Sequence, residues 1–116
     1  MADKSDKDLL IGIIDLCESI KSAVAGKSLQ QFEQDDILRD AVAYRLAAIG
    51  EDCKGLSAAV KKQHDLPWKQ IIGMRNRLAH DYFGSAPKVV FETATGDLDP
   101  LCEACRASLT ALSGEK

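Results

Sequence analysis

The stretch GMRNRLAHDYFG, residues 73–84, carries several side chains suited to phosphate chemistry. Arginine offers a planar fork for two phosphate oxygens and stays charged at any working pH. Histidine titrates near neutrality, so it can take or give the proton of a ribose hydroxyl, and asparagine can orient an oxygen. The members of this set are Arg75, Asn76, Arg77, His80 and Tyr82.

Helical geometry relates these residues to one another. Asn76 and His80 are four apart and share one helix face. Arg75 and His80 lie about 140° apart around an ideal helix, a separation that a flexible arginine side chain can close. RNA cleavage by attack of the 2′-hydroxyl is feasible with this set, and one histidine cannot easily be both base and acid. A two-fold dimer would supply two histidines and two arginines.

Each of these residues has a structural alternative. His80 could be a capping or core histidine, and the arginines could be solvated surface charges. Tyr82 could close the end of a helical bundle, and His64 is expected to be exposed in a polar loop before Pro67. No hydroxyl has a histidine and acid at triad spacing, and no glycine-rich phosphate loop is present. The residues alone therefore predict a helical protein with an anion site, and a nuclease is one interpretation of it.

Positive charge is concentrated around this stretch. The formal net charge of the chain is −3, but residues 61–91 carry six Lys or Arg against two Asp, which gives +4. Local potential, rather than net charge, steers an anionic ligand. Lys69 and Arg77 are therefore candidate RNA-binding residues.

Composition indicates one globular domain over residues 1–116, with 46% hydrophobic and 28% charged residues. No run approaches the roughly 18 apolar residues of a membrane span, and the polar start MADKSDKDLL is unlike a signal peptide. We therefore expect a cytoplasmic protein without a membrane segment. Four cysteines lack the second CxxC or histidine pair of a zinc site, so we expect no metal and reduced thiols packed as small apolar groups.

Hydrophobic periodicity predicts helices throughout. The first ends at Gly26, and Ser28 with Gln31 forms a weak capping-box signal. We expect a long helix from about Glu33 to Lys54, ended by Gly55, with seven inward residues: Ile37, Leu38, Ala41, Val42, Leu46, Ile49 and Cys53.

Proline and glycine mark the later helices. A third main helix starts with Pro67 at its first position and runs to about Tyr82. The last begins near Pro87 and is expected to be kinked or split near Gly96 and Pro100. Four main helices with short connections predict an all-α, antiparallel four-helix bundle.

The stretch MRNRLAHDYF resembles the R-x4-H-x-Y signature of the HepT toxins, a branch of the HEPN superfamily. Three further segments agree with that family in chain order: RDAVAYRLAAIGEDCKGLS with its IGE stretch, LPWKQIIGMRN and DLDPL. The likeness covers roughly residues 8–110. Its ordered segments are far more specific than R-x4-H alone.

The resemblance implies a four-helix-bundle homodimer that is a metal-independent endoribonuclease toxin of a type VII toxin–antitoxin system. Arg75 and His80 would be the catalytic pair at the dimer interface, with Asn76 beside them. A cognate nucleotidyltransferase antitoxin, MntA, would use ATP and Mg²⁺ to attach AMP to Tyr82. A bulky anionic group there would block the cleft and repel RNA.

Three points stay open at this level. Many relatives carry glycine where this chain has Asp81, a carboxylate that would lower local attraction for RNA or raise the pKa of the histidine. Asp40 and Glu51 are candidates to orient Arg75, or ordinary solvent-facing acids. The alternative function is a non-catalytic HEPN adaptor that binds a nucleotidyltransferase or a nucleotide.

Overall fold

A computed structural model describes residues 4–76, 78 and 87–114 of the chain. Those residues form helices, turns and loops without any strand, which confirms the predicted all-α bundle. Helix α1 spans Asp6–Val24. The Ser5 side chain caps it by accepting a hydrogen bond from the Asp8 amide, 3.1 Å away. Gly26 follows with a φ of 73°, a left-handed conformation that favours glycine, so the predicted end of this helix is confirmed.

Helix α2 spans Leu29–Gln34 and α3 spans Asp36–Gly55. The long helix that we predicted from about Glu33 to Lys54 is thus found as α3, with a start three residues later, because Glu33 and Gln34 belong to α2. The Ser28–Gln31 capping box is confirmed, with backbone-to-side-chain bonds of 2.9 and 3.1 Å. The chain leaves helical geometry at Asp35, whose carboxylate accepts from the Leu38 amide and caps α3. The prediction of an inward Ile37 is wrong: this side chain lies in the first turn of the new helix and is 81% exposed.

Two short helices lead towards the candidate motif. Helix α4 spans Ala58–Lys62 and α5 spans Trp68–Ile72. Pro67 lies immediately before the first residue of α5, whereas we predicted it at the first helical position, and its side chain makes no capping hydrogen bond. After a turn at Gly73, residues 74–76 are again helical. Met74 and Leu78 pack on the core, so the start of the motif segment is anchored by its apolar residues.

The last helical region is split as predicted. Helix α6 spans Pro87–Glu92, a π-helix spans Thr93–Asp97 and α7 spans Leu98–Gly114. Pro100 has no N–H to donate to the carbonyl four residues earlier, which accounts for the wider turn before it. Within this region, the hydroxyl of Thr95 donates to the Phe91 carbonyl, 2.8 Å away.

The core lies where α1 packs against α3 and α7. The four cysteines are free thiols buried in this core, as we predicted. Burial raises the pKa of the Cys17 and Cys105 thiols to about 12 and shifts that of Cys53 upward as well. The fully buried side chains of the core include Leu10, Ile13, Ile20, Phe32, Val42, Leu46, Ile49 and Val90. No helix within the described ranges is both long and apolar enough to cross a bilayer.

Candidate functional site

The candidate site is built on a backbone contact between α3 and the end of α5. A Cβ atom placed on Gly50 would lie 2.8 Å from the Ile71 carbonyl oxygen and 3.3 Å from that of Ile72. Backbone atoms cannot move aside as a side chain can, so only glycine permits the two helices to approach this closely. The contact fixes the position of the end of α5, from which the motif segment continues.

A second set of contacts fixes the loop that precedes α5. The Trp68 indole donates to the carbonyls of Lys61 and His64, at 2.9 and 3.1 Å. His64 Nε2 lies 2.8 Å from the hydroxyl of Ser108, a serine that is only 4% exposed. The expectation that His64 is an exposed loop residue is therefore wrong. Its partner is 44 residues away on α7, so local sequence gave no signal for it.

Arg75 is held at the surface beside α3. Its Nε atom lies 3.7 Å from Oε1 of Glu51, and the two side chains are 62% and 56% exposed. Glu51, one of the two acids considered as partners of Arg75, is thus its ion-pair partner. An exposed pair of this kind contributes little to stability, and the guanidinium stays accessible to an anion from solution.

The other residues of this region differ in their exposure to solvent. Met74 is buried, whereas Asn76 and Lys69 are exposed. Arg75, Asn76 and Lys69 are therefore all available to a ligand, as their assigned roles require. Among the described residues, no three His, Cys, Asp or Glu side chains are grouped so that they could hold a metal ion.

The remaining predicted site residues lie outside the described residues. These are Arg77, His80 and Tyr82, together with Asp81 between the last two. The pairing of Arg75 with His80 and the modification of Tyr82 therefore stay predictions.

Within the described residues, a groove lined in part by Met74 lies between α5 and the π-helix. It has a volume of about 350 Å³. Its lining includes Pro67 at the start of α5, Gly96 in the π-helix and Pro100 near the start of α7. The sequence marked Pro67 as a helix start and Gly96 and Pro100 as a break, but it did not show that the three line one groove.

Comparison with known proteins identifies one family. The family model described as "Ribonuclease HepT-like" matches residues 13–108. A protein of Caldanaerobacter subterraneus subsp. tengcongensis, named "Putative RNase", is 34% identical over 99 residues, covering 84% of this chain and 88% of the relative. A protein of Thermococcus cleftensis, named "Probable ribonuclease HepT", is 31% identical over 99 residues, covering 84% and 90%. No solved structure matches the chain.

Proposed function

The chain belongs to the HepT-like ribonuclease family, and we propose that it is an endoribonuclease, the toxin of a type VII toxin–antitoxin pair. The observation that carries the proposal is the placement of Arg75 within the matched range. This arginine is exposed beside Glu51, at a register set by the close approach of α3 and α5 at Gly50. An arginine presented in this way can receive a phosphate without moving any part of the core.

In the proposed reaction, the ribose 2′-hydroxyl attacks the adjacent phosphorus. His80 takes the proton of that hydroxyl, and Arg75 holds two non-bridging oxygens through its Nη atoms. The bond to the 5′-oxygen breaks and this oxygen receives a proton, which leaves a 2′,3′-cyclic phosphate and a 5′-hydroxyl end. Because the nucleophile belongs to the substrate, no metal-bound water is needed. Asn76 orients a phosphate or hydroxyl oxygen, and Lys69 and Arg77 attract the RNA backbone.

A second copy of the chain would complete the proposed site by supplying the second His80. The exposed surface of α3 supports this assembly. Ile37 and Tyr44 are 81% and 76% exposed, and they stand seven residues apart on one helix face. Glu51 continues the same face after seven more residues. Apolar side chains so exposed on the helix face that ends at Glu51 are typical of a surface that another protein covers.

The proposed partner is an MntA-like nucleotidyltransferase that inhibits the toxin in the cytoplasm. It would bind ATP and Mg²⁺ itself, and this chain would need no cofactor. The Tyr82 oxygen attacks the α-phosphorus of ATP, pyrophosphate leaves, and AMP remains on the tyrosine. The added negative charge two residues from His80 would repel RNA.

RNA cleavage by the purified chain in the presence of EDTA tests the proposal. His80→Ala and Arg75→Ala should each lower the rate by roughly a thousandfold or more, since each removes a group that acts in the transition state. The matched control is Lys54→Ala, which, like Arg75→Ala, removes one exposed positive charge, but at the end of α3. This variant should cleave normally. Full activity of His80→Ala would reject the proposed catalytic site, and absence of cleavage by the wild-type chain would reject the nuclease. Binding of RNA or of the nucleotidyltransferase without cleavage would favour the adaptor instead.

A further inference from the structure

We infer that Glu51 is a positioning residue for Arg75: it orients the guanidinium for the scissile phosphate and weakens ground-state binding of RNA. This inference rests on the proposed ribonuclease activity. It assigns a role in that reaction to a carboxylate that lies outside the motif.

The backbone position of Glu51 is fixed by the two residues that precede it. Ile49, two residues earlier, has no exposed surface, and Gly50 is in contact with the carbonyls of Ile71 and Ile72. The contact at Gly50 also includes the Arg75 amide, 3.5 Å from where a Cβ would lie. Glu51 and Arg75 are therefore attached to two backbones that cannot shift independently. Their side chains meet because the helices do.

The contact uses one edge of the guanidinium. The Nε atom faces the Glu51 carboxylate at 3.7 Å. Within the described part of the chain, this is the only ion pair that Arg75 makes. A carboxylate on the Nε side restricts the arginine to fewer rotamers and leaves the two Nη groups for phosphate oxygens. The orientation is therefore set before RNA arrives, which lowers the entropy cost of forming the transition state.

The stability of the fold does not explain the placement of the Glu51 carboxylate beside Arg75. The pair is more than half exposed on both sides, and such pairs contribute little to folding. For RNA binding the carboxylate is unfavourable, because it places a negative charge beside the site for a phosphate. A group that opposes binding while orienting the arginine should change kcat and KM separately.

Two substitutions separate orientation from charge. Glu51→Gln keeps the length of the side chain and removes its charge, so kcat should fall about tenfold through loss of orientation. KM should fall about threefold, since the repulsion of phosphate is removed. Glu51→Asp keeps the charge but cannot span the same distance, so kcat should fall while KM stays near the wild-type value. Glu103→Gln, an exposed glutamate on α7, is the matched control and should change neither constant.

A measurement without RNA tests the pairing on its own. Heteronuclear NMR of the full chain observes the Arg75 Nε–Hε group, whose resonance is assigned by its loss in Arg75→Lys. Glu51→Gln should shift this resonance and speed its exchange with water, whereas Glu103→Gln should leave it unchanged. These changes, together with the separate shifts of kcat and KM, would support the inference.

The failures are distinguishable. Glu51→Gln with wild-type kcat and KM would overturn the positioning role while the nuclease stands. A rise in KM with unchanged kcat would also overturn it, since it would make Glu51 a binding residue. A wild-type chain that cleaves no RNA, even with the resonance shift intact, would overturn the proposed function and, with it, the positioning role of Glu51 in that reaction.

Discussion

Helix α3 holds its neighbours by two different means. On its core side, Val42, Leu46 and Cys53 are buried in the core shared with α1. On its site side, which borders the core side at Gly50, α3 meets the candidate site through the backbone contact of that glycine and the exposed pair of Glu51 with Arg75. Apolar burial supplies most of the free energy of folding, whereas exposed ion pairs supply little. The core side should therefore control stability, and the site side should control activity.

Truncation in the core is the largest expected effect on stability. Leu10 has no exposed surface, so Leu10→Ala should lower the free energy of unfolding by about 3 kcal/mol. The rate of RNA cleavage per folded molecule should stay within about twofold, because no site contact changes. Urea denaturation measures the first quantity, and cleavage below the unfolding transition measures the second. Ile11→Ala is the matched control: Ile11 is 39% exposed and its truncation should cost under about 1 kcal/mol. Equal losses at both positions would contradict the predicted core.

Substitution of Gly50 should lower the rate of RNA cleavage far more than it lowers the stability of the fold. Gly50→Ala places a Cβ 2.8 Å from a carbonyl oxygen, so α5 and the segment carrying Arg75 must move away from α3. We expect cleavage to fall about a hundredfold for a displacement near 1 Å, with a loss of about 1–2 kcal/mol in unfolding free energy.

Gly12→Ala is the control for that substitution. A Cβ on Gly12 would meet only the end of the Asp52 side chain, at 3.3 Å, and that side chain can rotate away. Alanine is the better helix former by about 1 kcal/mol, so Gly12→Ala should be neutral or slightly stabilising and fully active. If both variants kept wild-type activity, the close approach at Gly50 would not position the site.

Local signals explain which parts of the fold could be predicted from sequence. Gly26, the Ser28–Gln31 box and the start at Pro87 act within one helical turn, and all were found where the sequence indicated. The start of α3 at Asp36 was missed because the apolar pattern continues across Asp35. The break depends on Asp35 itself, which leaves helical geometry and accepts the capping hydrogen bond from the Leu38 amide.

The site residues themselves stay predictions, and the contacts that support Arg75 could be predicted from the sequence only in part. Arg75 follows from the spacing of the motif, and Glu51 was one of two acids considered beside it. The requirement for glycine at position 50 depends on how α3 and α5 meet, which no local pattern encodes. The bond of His64 to Ser108 depends in the same way on a distant helix.

The buried thiols of the core make the free energy of unfolding depend on pH. Burial raises the pKa of Cys17 from its ordinary value of 9.0 to about 12, so the folded state keeps a proton that the unfolded state loses. The stability linked to this thiol is fully present below pH 9 and is lost as pH rises from 9 towards 12. The slope should be about 1.4 kcal/mol per pH unit for one such thiol. Urea denaturation across this range should show a smaller slope in Cys17→Ala, and an equal slope in both proteins would contradict the assignment.

The smallest expected effect concerns a second exposed ion pair. Lys21 on α1 lies 2.5 Å from Asp99 on α7, and both side chains are about as exposed as those of Glu51 and Arg75. The hydrogen bond that Lys21 donates to the Asp99 carboxylate raises the pKa of Lys21, yet water and salt screen such a contact. Lys21→Gln should therefore leave both the urea midpoint and RNA cleavage unchanged, whereas Glu51→Gln should leave only the midpoint unchanged. Because the two pairs are alike in exposure, a change in cleavage confined to Glu51→Gln would assign that effect to its place beside Arg75. A comparable loss of cleavage in Lys21→Gln would instead indicate that the core side and the site side are coupled.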